Sequence, residues 1–172
     1  FQILCELGGM RVVITSRRFG ELQVQPEERV HFPFGLLGFA ELKDFVLVDP
    51  GDDTLILWLQ SVSKPEVALP VLEPKIFHSS YLVRLSAVER RELGLESLQD
   101  ASVLCVLTIP AAIQQMTANL KAPLVIHRKT GIGRQVILQE NEYGLKHPLF
   151  KDLRAHLMTI QAQNNPTTVS TG

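Results

Sequence analysis

The chain has 172 residues, a formal net charge of -1, 45% hydrophobic residues and 20% charged ones, which supports one sizeable core and excludes a disordered chain. Near-neutral charge excludes a global electrostatic case for nucleic acid or an anionic membrane, and no apolar run reaches the roughly 18 residues of a membrane span. The two cysteines, Cys5 and Cys105, form no CxxC, so zinc and disulfide frameworks are unsupported and a reducing cytoplasm fits best.

Phe1 to Gly9 lacks the basic start and long apolar stretch of a signal peptide. Met10 reads as a native start, so residues 1–9 are taken as added residues or an extension outside the fold reading, 10–148 as one domain and 149–172 as a tail. Arg11–Ser16 and Leu22–Gln25 read as an opening hairpin about the turn at Phe19-Gly20. Val30–Phe32 is extended. Pro33–Phe39 follows as a loop with two Phe and two Gly, whose aromatics either plug the mouth of a barrel or stay exposed as a contact site. Phe45–Val48 is a strand ended by Asp49-Pro50-Gly51-Asp52-Asp53, a strong turn signal without the ligand ladder of a calcium loop. Thr54–Gln60 completes that hairpin, and its nearly continuous apolar run suggests burial on both faces.

Val67–Leu72 is a further strand, and Pro70 within it argues for an edge or a bulge. Tyr81–Leu85 reads as a short strand. Ser86 and Glu89 form a capping box that opens a helix to Leu93, with Gly94 at the C′ position. Ala101–Ile109 is the most apolar strand, with Cys105 as a small buried hydrophobe. Thr117–Pro123 is polar and turn-prone. Leu124–His127 and Arg134–Leu138 form a hairpin around a basic, glycine-rich loop that lacks the following helix of a nucleotide fingerprint. About nine strands and one short helix, with turn signals at short spacing, predict an all-β fold, antiparallel and β-barrel-like. Leu149, Leu153, Leu157 and Ile160 predict an amphipathic tail helix with Lys151, Arg154 and His156 on its polar face.

No chemistry-bearing constellation emerges. His31, His78, His127, His147 and His156 make no HxxxH, HExxH or HxH, and GxSxG and Walker loops are absent. No cofactor or metal is implied, and the expectation is a non-enzyme. Asn119 and Lys121, held before a core strand by Pro123, could recognise backbone or carboxylate groups. They equally suit an ordinary loop in which Asn119 caps its own turn.

Several stretches, in this order and spacing, resemble the FliW family of flagellar assembly factors. They are Val30-His31-Phe32 leading into Gly35-Leu36-Leu37-Gly38-Phe39, Leu59-Gln60-Ser61, Glu73-Pro74, Thr117–Ile126, and Gln135–Leu138 before Tyr143. The likeness covers about residues 11–150. This chain has Leu36-Leu37-Gly38-Phe39 where the family usually reads Leu-Pro-Gly-Phe, His127 where it has Asn, and Glu73-Pro74 where Asp-Pro is common. The resemblance implies a cytoplasmic, non-enzymatic regulator that binds newly made flagellin near its C-terminal helical region. Freed of flagellin, it binds the RNA-binding repressor CsrA, so flagellin translation resumes. It implies no direct nucleic-acid or membrane partner.

On this resemblance the candidate partner-binding residues are Phe34, Leu36, Phe39, Gln60, Ser61, Glu73, Asn119, Lys121 and Pro123. The three apolar loop residues would supply pockets for a helix, and Asn119 and Lys121 would hold its ends. Asp49, Asp52, Asp53 and Glu73 would face the basic CsrA, and the tail helix is a candidate occupant of the helix groove in its own or a neighbouring chain. The rival readings are a small split-barrel protein carrying a flavin-type cofactor, and a barrel that binds RNA through Arg128, Lys129 and Arg134.

Overall fold

The computed structural model describes residues 3–6, 9–52, 54–140 and 142–164, with side chains from Arg11 to Gln163 apart from positions 53 and 141. Three strands, β1 (Ile3–Glu6), β2 (Gly9–Ser16) and β3 (Gly20–Val24), form an antiparallel sheet in chain order. Residues 3–6, set aside in the sequence reading, thus pair with 9–12. The larger sheet contains β4 (Arg29–His31), β5 (Asp44–Val48), β6 (Leu57–Ser61), β7 (Ala68–Leu72), β8 (Ala101–Thr108), β9 (Thr117–Ala118), β10 (Leu124–His127), β11 (Gly133–Gln135) and β12 (His147–Pro148). Its main path runs β11-β10-β8-β7-β6-β5-β4, with β9 and β12 continuing beside β8. All these ladders are antiparallel. Helices α1 (Ala87–Leu93) and α2 (Phe150–Asn164) complete the described chain.

The fold is all-β as expected, but among the described residues no ladder closes the sheet into a barrel. Its edges meet at one parallel bridge between His31 and Ile132, where the His31 amide donates to the Gly131 carbonyl at 2.8 Å. Gly131 makes that approach possible, because it has a φ of +70° and a Cβ there would meet the Arg29 carbonyl oxygen.

Two cores lie on opposite faces of the larger sheet, and a third, of Ile14, Val24 and Val46, joins it to the small sheet. Phe32, Leu36, Phe45, Leu59, Val71, Leu104 and Leu124 fill the first. Leu72, Cys105, Val125, Tyr81, Tyr143, Leu120, Leu149 and Leu153 fill the second. Alternate residues of β7 and β8 serve different cores, since Val71 and Leu104 point one way and Leu72 and Cys105 the other. Burial on both faces explains the continuous apolar run of β8. The Cys105 thiol is pushed up to about 12 by burial and donates to the Leu72 carbonyl at 3.2 Å, so it stays a neutral packing group.

Helix α1 follows its signals. Ser86 Oγ accepts from the Glu89 amide, Glu89 Oε2 accepts from the Ser86 amide, and Gly94 adopts a φ of 66°. Two expectations need correction. Tyr81–Leu85 forms no strand; it is held instead by side chains, with the Tyr81 hydroxyl donating to the Leu120 carbonyl at 2.7 Å and the Leu82 amide to the Tyr143 hydroxyl at 3.0 Å. Pro70 lies in an interior strand, not an edge. It is tolerated because the β7–β8 ladder begins only at Val71, so the missing N–H removes no ladder bond.

Helix α2 is docked along the predicted stripe. Leu149 and Leu153 are buried, and Phe150 and Leu157 pack against the same core. The Leu149 amide donates to the Met116 carbonyl at 3.3 Å, joining the helix start to the segment before β9.

Candidate partner-binding surfaces

The Thr117–Ile126 stretch is the fold's central knot. Thr117 and Ala118 form β9, pairing with both β8 and β12, so this part is strand where the sequence suggested a turn. Asn119 Oδ1 then accepts from the amides of Lys121 at 3.1 Å and Ala122 at 3.0 Å. This is the self-capped turn that Asn residues favour. The Lys121 ammonium donates to the Glu140 carbonyl at 2.8 Å. Gly144 O accepts from both Leu120 and Lys121 amides, and Leu138 N donates to Lys121 O. Asn119 and Lys121 are half-buried, and Pro123 is buried. Asn119→Ala is therefore expected to lower stability by about 1 kcal/mol, the net worth of such bonds, as a shifted urea midpoint. An unchanged midpoint would show that the cap is dispensable.

Four candidate residues have side chains enclosed by the fold. Gln60 and Ser61 have no exposed surface, and Leu36 belongs to the first core. Gln60 Oε1 accepts from Ser16 Oγ at 2.7 Å and its amide donates to the Ser61 carbonyl at 3.0 Å, which ties the small sheet to the large one. Ser61 Oγ accepts from the Lys64 amide at 3.1 Å. The side chains of Leu36, Gln60, Ser61 and Pro123 are thus buried in this structure. Gln60 and Ser61 spend their hydrogen bonds inside the fold, a use that sequence spacing alone does not separate from recognition.

The remaining candidates fall on two surfaces. Phe34 is 60% exposed, beside Leu37 at 58%, and the Arg134 guanidinium lies 4.7 Å from the Phe34 ring centroid. Arg134 also pairs with Glu92. Phe39 is half-buried against the core. Gln135, which sequence reasoning missed as a site-builder, joins this loop to the central knot. Its Oε1 accepts from the Leu37 amide at 2.8 Å and its Nε2 donates to the Ala122 carbonyl at 3.0 Å.

The second surface is a groove of about 630 Å³. Leu47, Leu57, Ile76, Leu82, Val103 and Leu104 give it an apolar lining, while Asp49, Glu73, Lys75 and Arg128 are charged residues along it. It lies where β5, β7 and β10 end and β6 and β8 begin, so strand ends supply both the apolar floor and the charged groups. Arg128 is fixed there by donating to the Gln99 carbonyl at 2.8 Å and to Ser102 Oγ at 3.2 Å. Glu73 and Asp49, proposed from sequence as part of an acidic face, share this groove; Asp52 is exposed in the adjoining turn, and Asp53 lies outside the described residues. Phe34, Phe39, Asn119 and Lys121 do not line it. The groove itself was missed, because its apolar residues come from five separated segments. Helix α2 contributes no lining residue, so it does not occupy the groove of its own chain.

Among the described residues no cluster of three or more His, Cys, Asp or Glu side chains is placed to hold a metal, and no helix is long and apolar enough to cross a membrane. His78 and His147, distant in sequence, do converge, with ring centroids 6.0 Å apart. They sit in an aromatic cluster with Phe77, Tyr81 and Tyr143.

The model of the FliW protein family matches residues 13–149. A flagellar assembly factor FliW from Bdellovibrio bacteriovorus is 37% identical over 147 residues, covering 86% of this chain and 84% of that one. One from Moorella thermoacetica is 38% identical over 141 residues, covering 81% and 89%. A crystal structure of the flagellar assembly factor FliW superposes with a TM-score of 0.75 at 32% identity, covering 81% of this chain and 97% of the other. These matches favour the flagellar assembly factors over the flavin-carrier alternative. The family model takes in the second half of β2 and all of β3 to β12, with the knot, the Phe34 loop and the groove, and ends at Leu149, just before α2: the chain belongs to the FliW family.

Proposed function

We propose that this chain is a cytoplasmic, non-catalytic flagellar assembly factor that binds flagellin and, once flagellin is exported, antagonises CsrA. The family relationship supports the flagellar role. The observation that carries the binding reading is the groove: apolar along its floor and charged at intervals, it suits the apolar face of a helix set into a hydrophobic cleft. Asp49 and Glu73, the acidic groups suited to a basic repressor, line that same groove. Flagellin and CsrA would then compete for one surface, and occupancy by the first would lower availability to the second. No cofactor takes part.

Co-purification with flagellin and with CsrA, separately and in competition, tests the reading. Leu47, 39% exposed within the groove, is the variant site. Leu47→Glu is expected to weaken both partners by about ten-fold or more, because docking would bury an unpaired charge. Phe34→Glu, Asn119→Ala and Lys121→Ala report on the other surface. Loss of flagellin binding in those variants, with Leu47→Glu unaffected, would move docking to the Phe34 loop and the knot. Failure of flagellin and CsrA to co-purify with the unmodified chain would end the proposal.

A further inference from the structure

The charged residues along the groove are not evenly arranged. Asp49 lies just beyond the end of β5, with Asp52 exposed in the turn that follows. Arg128 follows β10 directly. Between them the path crosses β6, β7 and β8, and near its middle Glu73 and Lys75 offset each other. The four inter-strand steps from β5 to β10 amount to roughly 19 Å, the length of a helix of about 13 residues.

Arg128 is well suited to a docking role. Its Nε and one terminal nitrogen are committed to Ser102 and Gln99, which holds the guanidinium in place. The other terminal nitrogen is available to an acceptor. Asp49 is similarly steadied, with Oδ1 accepting from the Gly51 amide at 2.9 Å. The groove therefore offers a fixed negative group at one end and a fixed positive group at the other. An α-helix carries the complementary pattern, with a positive N-terminus and a negative C-terminus.

From this we infer that the groove sets the direction of its occupant: an amphipathic partner helix lies with its N-terminus over the β5–β6 turn and its C-terminus against Arg128. The inference rests on the groove being the flagellin site. The chain's own amphipathic helix does not compete for it in cis, because Leu149 and Leu153 are buried in the core and the helix contributes no residue to the groove lining.

The test measures full-length flagellin binding to Asp49→Lys, Arg128→Glu and Leu47→Glu at low and high salt. In the inferred direction both charge reversals weaken binding by about 3- to 10-fold, as expected for reversing a charge at a helix end, and salt reduces the effect. The opposite direction predicts the reverse sign, with both variants tightening, and that result overturns the inference. No change in either, while Leu47→Glu still loses flagellin, overturns the direction and leaves the groove reading intact. Binding unaffected by Leu47→Glu overturns the groove reading itself. Because Arg128 also anchors Gln99 and Ser102, Arg128→Gln serves as the second variant: it keeps a donor, removes the charge, and should weaken binding in the same sense by a smaller factor.

Discussion

Leu149→Ala is expected to destabilise the protein by about 2–5 kcal/mol, the range for emptying a fully buried leucine site. Leu149 has no exposed surface and packs in the core with Leu120, Tyr143 and Leu153. Its amide is already tied to Met116, so the backbone there has little freedom to collapse into the cavity. Met158, on the outer side of the same helix and 59% exposed, is the comparison. Met158→Ala should stay within about 0.5 kcal/mol. Urea unfolding of both variants decides the matter, and equal midpoints would mean that the start of α2 is not seated on the core. The same packing changes the outlook for the tail. Cutting the chain after Leu145 removes β12, Leu149 and Leu153 together, so loss of folding is expected in place of an unmasked groove.

Gln60→Ala is expected to cost about 2–4 kcal/mol, more than a typical surface change, because it combines a cavity with stranded buried polar groups. The Ser16 hydroxyl loses its acceptor at 2.7 Å and the Ser61 carbonyl its donor at 3.0 Å. Ser16 Oγ also accepts from the amides of Arg18 at 3.2 Å and Phe19 at 3.0 Å, so the effect should spread to the β2–β3 hairpin. Denaturant titration gives the stability loss, and hydrogen exchange should show faster opening at residues 16–19. Flagellin affinity per folded molecule should hold. A variant with an unchanged midpoint and weakened binding would restore Gln60 as a contact residue.

Gln60 illustrates why site assignment from sequence is harder than fold class. Its place in a Leu-Gln-Ser motif is legible; its orientation is not. Alternation along β6 puts its amide beside Ser16, a residue 44 positions away. Asn119 and Lys121 show the same limit. The polar residues before Pro123 read equally as a contact loop or a self-capped turn, and what distinguishes the two is the location of Ala122 N and Glu140 O. The groove was illegible for a related reason. Its floor is assembled from strand ends that become neighbours only after the sheet has formed, while each segment alone reads as ordinary apolar strand or loop.

Local physics nevertheless carried far. The capping box at Ser86 and Glu89, the Gly94 terminator, the apolar run of β8 and the leucine stripe after His147 each act over a few residues, so composition and periodicity alone determined them. The order of short motifs likewise determined the family. Tertiary structure alone decided three things: that among the described residues the sheet stays open except at His31 and Ile132, that Pro70 is harmless inside it, and which polar residues spend their hydrogen bonds within the fold. All three depend on long-range pairing, where one residue's hydrogen-bond partner or covering side chain comes from a distant strand. Local sequence does not encode that geometry; the packing of the two sheets and their cores supplies it.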